Sequence, residues 1–593
     1  MPPADQLADH PVEHHVSPAR WYIAASCVIV AAIAMRASVQ FSAVLPPGID
    51  AAYYPLQARS VLETGRLAYH DLPLIFWIDA ALAKALIIAG SMDIDAAVLL
   101  ASKVVDSLLQ PFAAAFLFAL GYVWAQPFRK STAALVASVS CATLATLSAP
   151  MLRMTGDFEK NSLGLVWLVA AAFCTFKALD RGGVRWWSTL LLTVFLAALT
   201  HVAVLGSVVL MVGISLAAQV IGSRRYSIRQ ILGLMLAACA VGAVLLGLVY
   251  LASPNRAAAL LNAPQKLLGI NAGGEQQRGG PPGGMRLDPQ VLGIAAVTYL
   301  AVAWGLYRLW KDRSTTSPAR QSVVIGASAI TMLLACPLLS GEYAMRLSLM
   351  AIVPASIVLL HALLSHVQLG KRVWPAPLIA LGSLASVAIG LGWIALPLPG
   401  PSRGGPPGSG RPMGPPPNGD MAFDFGGPPG MMDAPGMGPP PGGGGPRGGG
   451  PRRGGPPQGM MSKVVDDASA EEFRSLRAMI TEPATTVVIA RHGLQWWAGY
   501  FMKVPVREER VSQEAIAKYT RVLRLEQKQG AGGPRRGGGG PPGGFEGEDL
   551  FGGDQSSEKL LHDGKYFTLR EVRSAAATVG NDGDGRNAAP SPE

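Results

Sequence analysis

Eleven apolar stretches of membrane-spanning length occupy most of the first two-thirds of this chain, near residues 21–43, 104–125, 132–149, 161–178, 187–201, 203–221, 230–252, 290–309, 321–339, 347–366 and 376–396. A helix needs about 20 predominantly apolar residues to cross a bilayer. Within lipid, every backbone N–H and C=O must find its partner inside the chain, so runs of this length fold as helices. The expected fold class is an α-helical polytopic membrane protein. Composition agrees. Half of the 593 residues are hydrophobic and the mean hydropathy is +0.31, high for a domain that must present a wetted surface.

The connecting segments sort by charge. Arg129/Lys130, Lys177/Arg181/Arg185, Arg224/Arg225/Arg229, Arg308/Lys311/Arg313/Arg320 and Lys371/Arg372 occupy every second short loop, and the loops between them carry far fewer cations. Basic loops face the cytoplasm. Residues 1–20 are then a cytoplasmic tail, residues 21–399 the membrane domain, and the C-terminal region extracytoplasmic. The location expected is a cell inner (plasma) membrane. The formal charge of +11 needs no nucleic-acid partner, because these loops account for most of it. Trp21 to Ala43 is long enough to remain as a signal anchor. His10, His14 and His15 read as part of a disordered tail rather than a metal cluster.

Residues 72–90 are apolar but short, and carry Asp79 and Lys84 near their middle. Each charge costs a few kcal/mol at the bilayer centre, so this segment is expected to lie in the interface. All five cysteines (Cys27, Cys141, Cys174, Cys239, Cys336) fall in apolar runs, which leaves no disulfide framework or CxxC metal site for the hydrophilic C-terminal third. Residues 400–460, 530–553 and 272–287 are dominated by Gly and Pro, lack apolar periodicity and read as flexible spacer. Around them, residues 461–593 form a small α/β domain with the 530–553 tract as an insert. TTVVIA (485–490) is a buried strand, a helix follows at 492–502, another starts from Ser512 with Ala515, Ile516 and Tyr519 on one face, and 564–572 alternates like a half-exposed strand. A docking or acceptor-handling role and a structural cap both fit such a domain.

Chemistry is expected in the first extracytoplasmic loop, 44–102, which is too long for a simple turn. Asp50 follows the first span by a few residues and is held near the membrane surface. Tyr53 and Tyr54 suit the headgroup layer. A carboxylate fixed there can deprotonate an acceptor hydroxyl beside a lipid-borne donor.

The order of elements along residues 20–400 resembles the GT-C glycosyltransferases, the class of protein O-mannosyltransferases, aminoarabinose transferases and bacterial relatives. The matching pieces are Gly48-Ile49-Asp50, Tyr53-Tyr54, Glu63-Thr64-Gly65, the juxtamembrane Leu72-Pro73-Leu74-Ile75-Phe76-Trp77, Lys103 at entry to the second span, the basic turn Phe128-Arg129-Lys130, a second acidic loop from Arg153 to Asn161 around Asp157, the turn Leu199-Thr200-His201, and Glu342-Tyr343-Ala344-Met345-Arg346 opening a span with Pro354. The resemblance implies an inverting single displacement from a polyprenyl-phosphate sugar donor to a glycan, lipid or protein acceptor. It makes Asp50 the base and lets Asp157 orient the acceptor or share a divalent cation (Mg or Mn) with Asp50. Arg346, with Lys103 as a second cation, meets the lipid phosphate, and Tyr53, Tyr54, Lys160, His201 and Glu342 line the substrates. Two positions depart from the protein mannosyltransferase pattern: Asp50-Ala51 stands for Asp-Glu and Leu72-Pro73 for Pro-Pro, so the acceptor class does not carry over. Trp496-Trp497-Ala498-Gly499-Tyr500 faintly resembles the WWDYG signature of oligosaccharyltransferases but lacks its Asp, and reads as a core aromatic pair. A secondary transporter, an oligosaccharyltransferase-like protein glycosylation subunit and a non-catalytic envelope scaffold are the competing classes.

Overall fold

The computed structural model of the chain describes residues 16–126, 131–223, 289–368, 375–390, 464–508, 516–528 and 558–572, apart from a few single positions, plus scattered residues between 242 and 258. The N-terminal histidines, most of the expected span at 230–252, the basic loops at 129–130, 224–229 and 371–372, the Gly/Pro tracts and most of the helix expected from Ser512 lie outside the described residues.

The membrane part is built from α1 (Pro18–Gln40), α2 (Tyr53–Thr64), α3 (Leu74–Gly90), α4 (Ile94–Leu109), α5 (Ala113–Trp124), α6 (Thr132–Leu147), α7 (Ala149–Arg153), α8 (Glu159–Arg181), α9 (Val184–Thr200), α10 (Val202–Ser223), α11 (Pro289–Lys311), α12 (Pro318–Leu334), α13 (Gly341–Gln368) and α14 (Pro375–Gly390). Among the described residues, seven helical segments are long and apolar enough to cross a membrane. Three more of the expected spans, α9, α12 and α14, are helices of 17, 17 and 16 residues. The architecture is that of a polytopic helical membrane protein. In α13, 94 % of the apolar window is buried, against 22 % in α1, so α13 is the central post of the bundle and α1 lies at its rim.

The first loop is shorter than expected. Helix α4 begins at Ile94, where the Asp93 carboxylate caps the Ala96 N–H at 2.9 Å, and it runs on into α5 through one 3₁₀ turn at Gln110–Phe112. Pro111 lacks an N–H, so the α-helical ladder tightens there without ending. Lys103 and Asp106 mark a polar edge in the sequence, but both are buried within the bundle on a helix that has already started. Helix α3 has 17 residues, about 25 Å at 1.5 Å per residue, shorter than the roughly 30 Å of a hydrocarbon core. It packs against α2 and α4 with Asp79 buried and Lys84 exposed.

The C-terminal domain comprises α15 (Asp467–Arg477), β1 (Thr486–Ala490), α16 (Leu494–Met502), β2 (Val506–Glu508), β3 (Arg521–Gln527), β4 (Lys559–Asp563) and β5 (Phe567–Val572). Its sheet has the order β2-β1-β3-β5-β4. Strand β1 runs parallel to β2 and β3, and β5 is antiparallel to β3 and β4. A parallel β1–β2 pair needs a crossover, and α16 supplies it. Both faces of β1 are covered: Val487 and Ile489 meet Ile516, Val522 and Val572, while Val488 and Ala490 meet Leu494 and Trp497. The expected buried strand and its following helix are both present.

This domain does not hang free of the bundle. Its core is continuous with Leu45, Ala51, Ala58, Ala80 and Ala97 of the first loop and its helices. Arg59 of α2 donates to the carbonyls of Tyr500 (2.6 Å) and Gly499 (3.1 Å), at the end of α16. Asp95 binds both Arg59 (3.2 Å) and Lys503 (3.0 Å). The backbone N–H groups of Val44 and Leu45 donate to Asp467 at 3.3 and 3.1 Å. Charged groups on backbone carbonyls at a packed seam make stronger bonds than neutral pairs do, so the seam is fixed in register.

Candidate active site

Two loops meet at one end of the bundle: 46–50, which leaves α1, and 154–158, which joins α7 to α8. Gly48 has φ +124° and Gly156 has φ +82°. A side chain on Gly48 would run into the Asp157 carboxylate, and one on Gly156 into the Pro47 carbonyl, each closer than 3.0 Å. The loops interlock because both positions lack a Cβ. The consequence is a fixed pair of carboxylates. The Asp157 Oδ1 accepts the Asp50 N–H at 2.9 Å, and the Gly156 N–H donates at 2.9 Å to Oδ2 of Asp106.

Asp106 anchors this arrangement from inside the bundle. Its carboxylate takes Arg36 Nη2 at 2.6 Å and Gln40 Nε2 at 2.6 Å, and Arg36 reaches on to the Met151 carbonyl at 3.0 Å. Arg36 is therefore the partner of a bundle acid. Nearby, Glu159 accepts from Ser102 Oγ at 2.7 Å, and both Asp79 oxygens are buried with no hydrogen-bond partner among the described residues.

Asp50 itself is bound from the C-terminal domain. His492 Nε2 lies 3.2 Å from Oδ1, and the Trp496 indole N–H donates to the same oxygen at 3.1 Å. Of the expected aromatic pair, only Trp497 is a core residue, 1 % exposed. Its neighbour Trp496 belongs to the site. Burial pushes the Asp50 carboxyl up, but His492, Arg346 and the Trp496 indole outweigh it and hold the group below the usual carboxylate range. Asp157 goes the other way. Burial and the Asp50 charge raise it to about 6, although the Asp50 and Ile49 N–H groups and Arg346 oppose the rise. Two neighbouring carboxyls driven apart in this way form a pair with different protonation behaviour.

A second polar group adjoins the first. Tyr53 Oη donates to Asp71 at 2.6 Å, Gln57 donates to Tyr53 Oη at 3.0 Å, and Lys160 forms an ion pair with Asp71. The Lys160 ammonium sits 5.2 Å from the Tyr53 ring centre, and Tyr53 packs on Trp496 at 4.8 Å. Tyr54 Oη approaches the Asp157 carbonyl at 3.4 Å. Arg346, on the first turns of α13, stacks on Phe158 at 5.3 Å. Asp50, Tyr53, Tyr54, Asp157, Lys160 and Arg346 are thus brought together at one end of the bundle. Lys103 is placed differently: it is buried, donates to the Ala43 carbonyl at 2.7 Å and lies over Phe41. His201 accepts the Ala203 N–H at 3.2 Å at the α9–α10 turn, a capping geometry. Glu342 falls on the opening turn of α13.

For a divalent cation, Asp50 and Asp157 offer two carboxylates. No cluster of three or more His, Cys, Asp or Glu with metal-holding geometry occurs among the described residues. A Mg²⁺ ion held by one or two carboxylates draws its remaining ligands from substrate phosphate and water, so the pair fits a metal only together with a phosphate-bearing donor.

A groove of about 790 Å³ opens between α11, α14 and the α6–α7 corner, lined by Leu144, Pro150, Val297, Trp304, Leu378 and Ser386 among others. Its lining extends along α11 from Gly293 to Trp304, about 16 Å at the helical rise. Ser386 Oγ accepts the Ala149 N–H at 3.2 Å, which ties the groove wall to the helix leading to Asp157.

His492, Asp71 and Asp106 are missing from the residues singled out in the sequence, and Trp496 is read there only as half of a core aromatic pair. One signal for His492 was present. It stands just past the carboxyl end of β1, and ligand sites of parallel α/β sheets gather at that edge. Neither a protein-family model nor a curated protein matches this chain.

Proposed function

We propose that the chain is a membrane glycosyltransferase of the GT-C type. It moves a sugar from a polyprenyl-phosphate donor to an acceptor on the extracytoplasmic face, with inversion. The observation that carries this reading is the Asp50–Asp157 pair, locked between the loop after α1 and the α7–α8 loop, with the Arg346 charge acting on both carboxyls. A polyprenyl phosphate is a good leaving group, so the reaction needs a base for the acceptor and a cation for the phosphate more than it needs a protonating acid. Asp50, ionised and partly exposed, takes the hydroxyl proton. Arg346 meets the departing phosphate, and the long apolar groove suits a prenyl chain.

The test is Asp50→Asn in the full chain, reconstituted with vesicles carrying polyprenyl-phosphate sugars, combined with labelling of a cysteine at position 50 from either side. Loss of transfer at unchanged membrane yield, and labelling from outside, are expected. Retained transfer, or labelling from the cytoplasmic side, sinks the assignment. The buried Arg36–Asp106 pair favours a second reading, a secondary transporter, because charges deep in a bundle often mark ion pathways. Solute counterflow insensitive to Asp50→Asn would select it.

A further inference from the structure

The bonds on Asp50 are unevenly shared. Both donors from the C-terminal domain, His492 Nε2 and the Trp496 indole, fall on Oδ1. His492 sits on the turn between β1 and α16, 44 % exposed, and its Nδ1 points toward Glu508 of β2 at 3.9 Å. Arg346 of α13 adds a like charge from the bundle side. The adjoining Arg491 is engaged with Gln527. The seam that carries His492 to Asp50 is the one fixed by Arg59, Asp95 and Asp467.

We infer that His492 is the positioning residue for Asp50: by gripping Oδ1 it turns Oδ2 toward the acceptor, so the C-terminal domain completes the site. This rests on the glycosyltransferase reading. In the step itself, the acceptor O–H proton passes to Asp50 Oδ2. The oxygen's electron pair forms the bond to the anomeric carbon, and the bond from that carbon to the phosphate oxygen breaks with its pair on the phosphate. His492 touches none of these atoms.

The hydrogen bond to Asp50, ahead of the opposing effect of burial, holds the His492 imidazole above its ordinary range. The contact itself, Nε2 to Oδ1 at 3.2 Å, is what positions the carboxylate. A glutamine at this position keeps a side-chain donor, and an alanine does not.

The experiment uses the full chain in vesicles with polyprenyl-phosphate mannose, glucose or arabinose, read as sugar transferred or released to water. His492→Gln, which keeps a side-chain donor, should hold kcat within about threefold of the parent. His492→Ala should lower kcat about ten- to a hundred-fold with KM little changed. A second measurement needs no donor. Diethyl pyrocarbonate acylates an accessible imidazole nitrogen, so Asp50→Ala, which uncovers Nε2, should speed modification of His492 about threefold or more, with His562, held by Glu472, unchanged as the internal control. Unaltered His492 reactivity in Asp50→Ala, or a His492→Gln variant as slow as His492→Ala, overturns the inference even where Asp50→Asn is inactive. Transfer that survives Asp50→Asn overturns instead the reading on which it rests.

Discussion

Replacing Arg36 by methionine probes how the bundle holds its acidic loop. Arg36 is fully buried in α1. Its Nε donates to the Asp106 carbonyl at 2.9 Å, Nη1 to the Met151 carbonyl at 3.0 Å and Nη2 to Asp106 Oδ1 at 2.6 Å. Methionine keeps most of the side-chain volume, so the loss is electrostatic rather than a cavity. Removing one partner of a buried ion pair costs about 3–5 kcal/mol, because the other charge stays behind unpaired. Gln40 and the Gly156 N–H still hold Asp106 Oδ2, which places Arg36→Met near the lower end, about 3 kcal/mol. The double variant Arg36→Met/Asp106→Leu removes both charges and should recover much of that loss. It also strips the Gly156 N–H of its acceptor, a remaining cost of about 1–3 kcal/mol, and leaves the loop around Asp157 loose. Denaturant titration in detergent, followed by tryptophan fluorescence, reads the stabilities, and sugar transfer reads the site. The expected pattern is a stable but poorly active double variant. A single variant within about 0.5 kcal/mol of the parent, or a double variant no better than the single, would refute the reasoning.

Gly156→Ala adds a left-handed strain of about 1–2 kcal/mol to its collision with the Pro47 carbonyl. It should lower transfer more than stability, measured by the same titration and assay. Asp157 titrates near 6 in the folded chain against an ordinary 3.8, so the native state keeps a proton that the unfolded chain has released between those values. Its contribution is full below about pH 3.8 and is lost as pH rises through about 6; Asp157→Asn should flatten this part of the curve of melting temperature against pH. Trp497→Ala should cost about 3–5 kcal/mol and open residues 464–572 to protease. Trp496→Phe should leave the cleavage pattern unchanged while removing one donor to Asp50.

Much of the helical architecture was legible because a bilayer demands long apolar runs, and such runs survive as one-dimensional patterns. The first loop was misjudged at its far end for a related reason. Lys103 and Asp106 interrupt the apolar pattern, yet the bundle satisfies both, so α4 begins nine residues ahead of Lys103. Asp50, Asp157 and Arg346 stand out in the sequence by their place at the ends of spans. His492 and Trp496 were not found as partners of Asp50, since they lie 442 and 446 residues from it and no periodicity links them.

By itself the sequence determined that the chain must be helical in lipid, where the apolar runs lie, and that a small α/β unit follows the Gly/Pro tract. Hydrophobic burial and backbone satisfaction are local demands that a linear pattern can carry. Tertiary structure alone decided that this unit seats on the first loop, that Arg36 pairs with Asp106, and that Asp50 is held from both sides. Those outcomes depend on polar groups far apart in the chain meeting at hydrogen-bond distance, and only the packed arrangement specifies such meetings.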